Sequence, residues 1–222
     1  MGGEETMSTF NEYHKIQTVF ERDPETNYKT LLMGKYATPE FEYLKDNRWV
    51  FTEKVDGTNI RVGFNDDSVT FGGKTERAQI PAHLLNALNA QFLPLIDKAK
   101  EIFDGPACLY GEGYGAKIQK GGGNYRPDQG FVLFDVRVGD WWLQREAVLD
   151  VGLKLKVDVV PVIGYGTLAD MVQKASDGFN SIWGDFPAEG IVARPKTELF
   201  TRAGKRVITK IKTKDFGGGN NR

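Results

Sequence analysis

Lys54, Asp56, Gly57 and Asn59 form the pattern Lys-x-Asp-Gly-x-Asn. A lysine serves as a nucleophile when desolvation or cationic neighbours lower its pKa. The flanking sequence offers a suitable setting. Trp49-Val50-Phe51-Thr52 and Ile60-Arg61-Val62-Gly63-Phe64 both alternate and read as strands. Asp56-Gly57 between them reads as a hairpin turn, because glycine takes positive φ without steric cost. Lys54 is therefore expected at a strand end, with its amine held rigidly. Alone, the pattern fits an ordinary hairpin with an edge lysine equally well.

Further clusters follow at strand-like positions. Lys74-Thr75-Glu76-Arg77 closes the first meander. Glu112 stands between Gly111 and Gly113, Phe134 follows Phe131-Val132-Leu133, and Glu189 precedes Gly190. Lys210 and Lys212 are two apart, so on a strand they share a face, and two adjacent cations suit a polyphosphate. Lys117, Lys120 and Arg126 lie in a Gly-rich segment, where they are either solvated or available to nucleic-acid phosphates.

Composition narrows the function classes. The 222 residues carry 29 Lys+Arg and 30 Asp+Glu, for a net charge of −1, which argues against a globally basic nucleic-acid binder. Basic residues do crowd locally, from Arg202 to Lys214. Cys108 is the single cysteine, so neither an intrachain disulfide nor a cysteine-based zinc cluster can form. His14 and His83 have no metal-ligand spacing. No apolar run approaches the ~18 residues of a membrane span, and the N-terminus lacks a signal-peptide pattern. The expectation is a monomer without membrane association, in the cytoplasm, or in a host's cytoplasm if phage-encoded.

Strands are expected near 49–55, 59–64, 68–72, 107–113, 131–138, 157–163, 189–194 and 206–213. Pro81 opens a helical pattern that Pro94 interrupts. A helix is expected over 145–155, and Thr167 caps another through Ala175. Residues 10–48 read as an ordered arm and 114–128 as a long loop. Residues 1–9 are expected to be a flexible end or an expression remnant, and 217–222 a flexible tail. Many short strands with inserted helices indicate an antiparallel-rich α+β fold over 10–216.

In order and spacing these clusters resemble the covalent nucleotidyltransferase superfamily of ATP-dependent ligases and mRNA-capping enzymes. They are most similar to the RNA ligase family, in its RNA ligase 2-like branch. Motif I resembles the cluster at Lys54, motif Ia that at Arg77, and motif III that at Glu112. Motifs IIIa, IV and V resemble those at Phe134, Glu189, and Lys210 with Lys212. The resemblance covers about 49–214 and implies a nucleotidyltransferase, ATP-grasp-like domain. It implies that Lys54 attacks the α-phosphate of ATP, forming lysyl-AMP. It also implies that Glu53 reads the adenine edge, Phe134 stacks on it, and Asn59 and Arg77 contact ribose or phosphate. Glu112 would bind the ribose, with flanking glycines admitting the nucleotide. Glu189 would hold hydrated Mg²⁺ (or Mn²⁺) through water, and Lys210 and Lys212 would contact the α-phosphate. The implied partners are RNA ends, nicked or single-stranded. A DNA ligase, a GTP-using capping enzyme and a non-catalytic nucleotide-binding module are the alternatives. Such ligases commonly carry a further C-terminal domain, so this chain is expected to be either a minimal ligase or a piece of a larger one.

Overall fold

The computed structural model describes residues 10–217. The flexible ends expected at 1–9 and 217–222 fall outside it, apart from Gly217. In chain order the elements begin with β1 (Gln17–Thr18), β2 (Phe20–Arg22), β3 (Leu31–Tyr36), α1 (Pro39–Tyr43), β4 (Trp49–Lys54), β5 (Thr58–Asn65) and β6 (Ser68–Gly72). Next come α2 (Ala82–Phe92), α3 (Ile96–Ile102), β7 (Ala107–Gly115), β8 (Gln129–Val138), β9 (Trp141–Trp142) and α4 (Arg145–Leu155). The last are β10 (Val162–Gly166), α5 (Leu168–Asp177), β11 (Gly190–Pro195) and β12 (Thr209–Lys212). Among the described residues, no helix is long and apolar enough to cross a membrane.

The span expected at 10–216 consists of two compact units. The first contains residues 10–14 and 56–159. Its antiparallel sheet runs β6-β5-β7-β8-β9. Ile60, Val62, Leu109, Phe131 and Leu133 face helices α2 and α4, which present Leu84, Leu88, Phe92, Val148 and Leu155. Spacings of three and four residues set those helical side chains on single stripes. The opposite sheet face carries the polar alternates Asn59, Arg61, Tyr110 and Glu112.

The second unit contains residues 15–55 and 160–217. Its sheet runs β1-β12-β11-β4-β10, antiparallel except where β1 joins β12. Trp49, Phe51, Ile191, Ala193 and Ile211 pack against Leu168, Met171 and Ala175 of α5. That helix starts at a capping box, in which Thr167 and Asp170 satisfy each other's backbone N–H. Residues 10–48 hold more structure than an arm, since β2 and β3 pair as a separate two-stranded sheet.

Several expectations are corrected. The two runs flanking Asp56-Gly57 do not form a hairpin. β4 lies between β11 and β10, whereas β5 lies between β6 and β7. Pairing with strands distant in sequence overrides the local turn signal, and the chain leaves one sheet for the other here. Gly57 does not take a positive φ; it is required for close approach. A Cβ there would lie 2.3 Å from the Gly113 carbonyl oxygen and 2.8 Å from Glu112 Cγ. The strand expected at 157–163 forms later, at β10, after Pro161. The last strand is confined to Thr209–Lys212.

Gly57→Ala is therefore expected to destabilise the protein by about 1–3 kcal/mol through overpacking. Gly105→Ala, at φ +104 with nothing within 4 Å, tests backbone strain alone. Urea unfolding of the two variants checks this. An unchanged Gly57→Ala midpoint would contradict the close approach.

Candidate active site

On β4, alternation turns Val50, Thr52 and Lys54 to one face of the second unit's sheet, away from α5. Gly190 pairs with Lys54 on one side and with Lys212 on the other. The two lysines therefore flank a residue without a side chain. A Cβ on Gly190 would lie 2.2 Å from the Ile211 carbonyl oxygen. Lys210, paired with Val192, stands on the same face one row further along.

Glu189 immediately precedes Gly190, and its carboxylate bridges the lysines. Oε2 accepts from Lys54 Nζ at 2.6 Å and Oε1 accepts from Lys212 Nζ at 2.6 Å. All three side chains are largely shielded, with exposures of 20%, 26% and 12% for Lys54, Lys212 and Glu189. Its backbone is fixed as well. Thr213 N donates to the Glu189 carbonyl at 3.0 Å, and Thr213 Oγ1 donates to that of Ala188 at 2.9 Å. Two ammoniums thus share one carboxylate on this face, an arrangement that suits a phosphate chain.

Glu53 departs from its expected role. It points to the opposite face of β4 from Lys54 and is 1% exposed. Ser181 Oγ donates to its Oε1 at 2.6 Å, and the Ile182 N–H donates to its Oε2 at 3.0 Å. Burial pushes its pKa up, against the pull of those two bonds. A carboxylate so enclosed and engaged does not read a base edge.

In the first unit, Asn59 and Glu112 are direct cross-strand partners on the face away from the helices. Asn59 Oδ1 is buried with no hydrogen-bond partner, an acceptor that a ligand hydroxyl or bound water would satisfy. The glycines beside Glu112 do not hold space for a nucleotide. A Cβ on Gly111 would meet the Phe131 ring at 2.2 Å, and one on Gly113 would meet Leu84 at 2.6 Å. Phe134 sits at a bulge, where Tyr110 pairs with Asp135 and Gly111 with Leu133. Three residues from Phe131, Phe134 already falls on the other side of the strand, and the extra residue at the bulge returns Val136 to the core side and sets Asp135 opposite Tyr110. Phe134 is half-buried, edge-on to the Tyr13 ring at 4.9 Å. Tyr13 also donates to the buried Asp135 and packs against Tyr110.

Arg77 is exposed in the loop after β6. Arg126 is paired with Asp128 at 2.6 Å, while Lys117 and Lys120 are exposed. Sequence reasoning missed Tyr13, Asp135, Ser181 and Thr213. Of these, only Asp135 carried a signal, as a carboxylate within an apolar strand. Among the described residues, no three His, Cys, Asp or Glu side chains group to hold a metal. Glu189 offers hard oxygens, which fit a largely hydrated divalent ion bound through water.

A family model described as RNA ligase matches residues 47–212. No curated protein matches the chain. Solved structures of Naegleria gruberi RNA ligase share the fold. A ligand-free mutant is 18% identical, with TM-score 0.64, and the match covers 95% of this chain and 60% of that one. A second mutant, solved with ATP and Mn, is 21% identical, with TM-score 0.61 and coverages of 78% and 52%. The structure with pyrophosphate is 19% identical, with TM-score 0.62 and coverages of 92% and 58%. The chain thus spans 52% to 60% of the length of these relatives.

Because Glu189 serves two ammoniums, Glu189→Ala should cost about 1–3 kcal/mol of unfolding free energy, since bonds to charged groups are worth ~1.5–3 kcal/mol. Lys212→Ala should cost about 1 kcal/mol or less, since Lys54 still neutralises the carboxylate. Urea denaturation ranks the two variants. Equal costs would contradict the bridging role.

Proposed function

The chain belongs to the RNA ligase family, and from that membership we propose that it joins RNA 5′-phosphate and 3′-hydroxyl ends at the expense of ATP, through AMP carried on Lys54. The observation that carries this reading is the grip of one carboxylate, Glu189, on Lys54 and Lys212. It sets a lysine beside further cations on a rigid sheet face, which is what a nucleophilic amine facing a phosphate needs. That Naegleria gruberi RNA ligase has been solved with ATP and Mn, with AMP and Mn and with pyrophosphate supports the choice of nucleotide.

The reaction has three steps. The neutral Lys54 amine attacks the α-phosphorus, a P–N bond forms, the bond to the β-phosphate oxygen breaks and pyrophosphate leaves. A proton is lost from Nζ. The RNA 5′-phosphate then displaces Lys54, taking AMP into a 5′–5′ phosphoanhydride. Finally the 3′-hydroxyl, losing its proton, attacks the 5′-phosphorus and AMP departs. Lys210 and Lys212 offset the charge that develops on the transferring phosphate. Asn59 and Glu112 suit the ribose hydroxyls, and Phe134 suits the adenine face. A divalent cation, Mg²⁺ or Mn²⁺, supplies further neutralisation of phosphate oxygens. Glu189 would hold it through water. The fold is then the adenylating nucleotidyltransferase arrangement, working as a monomer in the cytoplasm. The exposed Lys117 and Lys120 are available to RNA phosphates.

Incubation with labelled ATP and Mg²⁺ should give an acid-labile, base-stable adduct, and Lys54→Ala should give none. Lys54→Ala should nevertheless join pre-adenylated RNA to a 3′-hydroxyl, because that substrate bypasses the lysine. Lys210→Ala and Lys212→Ala should lose ~10²–10³ in rate on both substrates, as loss of an electrostatic donor does. Wild-type joining of the pre-adenylated end by Lys212→Ala would confine that residue to the ATP step.

GTP should label the protein far less than ATP, and Phe134→Ala should weaken ATP labelling, since stacking on a base is worth ~1–3 kcal/mol. Equal labelling by both nucleotides would favour a capping-type pocket.

A further inference from the structure

We infer that Glu53 is a positioning residue for nucleotidyl transfer: from the face of β4 opposite Lys54, its carboxylate fixes the loop that delivers Glu189. This rests on the assignment of Lys54 as the nucleophile.

The loop in question is a closed excursion between α5 and β11. Asn180 and Pro187 form a bridge at its base, and the Ala188 N–H donates to the Phe179 carbonyl at 2.9 Å. Its tip turns back on itself, with the Ser181 N–H donating to the Phe186 carbonyl at 2.8 Å. The chain emerging from this base is Ala188-Glu189. Glu53 takes hold of the loop through Ser181 Oγ and the Ile182 N–H, and Ser181 Oγ in turn accepts from the Trp183 N–H at 3.2 Å. The contacts close a ring. Lys54 is covalently joined to Glu53, Glu53 is bonded to the loop, the loop leads to Glu189, and Glu189 grips Lys54.

The ring explains why a carboxylate is kept at a site that burial makes unfavourable. An apolar residue would pack there without desolvation cost but would leave Ser181 Oγ and the Ile182 N–H without their acceptor. Alternation points Glu53 to the same side as Trp49 and Phe51, so it acts without entering the lysine face. A small displacement at the loop's base would move Glu189 relative to Lys54, and misplacement by ~1 Å can cost on the order of 10²-fold in rate.

The pKa direction allows structural and positioning roles to be separated. A carboxyl raised by burial stabilises the fold at low pH, and that contribution is lost as pH rises through the raised value. At pH 8 the neutral glutamine of Glu53→Gln avoids the desolvation cost while losing one acceptor.

The test is single-turnover formation of the protein–AMP adduct by the full chain at pH 8, with Glu53→Gln and Ser181→Ala measured beside wild type, together with Tm. Both variants are expected to react ~10-fold to 10²-fold more slowly at saturating ATP. Their ATP half-saturation should stay within about twofold, and their Tm should fall by no more than ~2–10 °C, as loss of one buried hydrogen bond entails, leaving both folded at the assay temperature. Wild-type rates in both variants would overturn the inference. So would a rate loss that merely tracks a fall in Tm, which marks a structural role, or a changed ATP-over-GTP preference, which marks base reading. Absence of an adduct in wild type would instead overturn the nucleophile assignment and this inference with it.

Discussion

One carboxylate between two ammoniums is the interaction on which the second unit's functional face depends. Three lysines projecting from β4 and β12, the strands on either side of β11, repel one another, and a sheet face carrying only them would splay its side chains into solvent. Glu189 converts the nearest pair into a shielded cluster with Nζ positions set by 2.6 Å contacts. Such a pair gains less from Coulomb attraction than its short distances suggest, because desolvation opposes it. Its value is geometric. The lysine amines are oriented before any phosphate arrives, so little ordering is left to be done during reaction.

The backbone around this cluster is arranged to permit it. Gly190 lies in register with both lysines, and a methyl group there would collide with β12. Thr213 secures the carbonyls of Ala188 and Glu189. In the first unit, comparable crowding occupies Gly57, Gly111 and Gly113, where backbone, ring or leucine takes up the space a side chain would need. These glycines allow close packing of the scaffold around Glu112 and Asn59; ligand approach is not their use.

Much of this was legible because alternation is local. A period of two residues placed Lys54 at the end of a strand and put Lys210 and Lys212 on one face, as β4 and β12 have them. The same period separates Glu53 from Lys54, so alternation alone sets the two side chains on opposite faces of β4. What alternation does not carry is pairing. Asp56-Gly57 has the chemistry of a hairpin turn, yet β4 finds its neighbours in β10 and β11. The bulge that turns Val136 to the core and Asp135 to the side of Tyr110 depends on a register shift against β7, which no spacing within β8 reveals. Tyr13 and Ser181 reached their partners through tertiary folding, with no motif to announce them.

The central claim is that the lysine held by Glu189 is the one that accepts AMP. The most direct measurement is peptide mapping by mass spectrometry after incubation of the intact chain with ATP and Mg²⁺. The account predicts an AMP increment on the peptide containing Lys54 and on no other lysine. An increment on Lys210, Lys212 or a loop lysine such as Lys117, or an unmodified Lys54 peptide throughout, would contradict it.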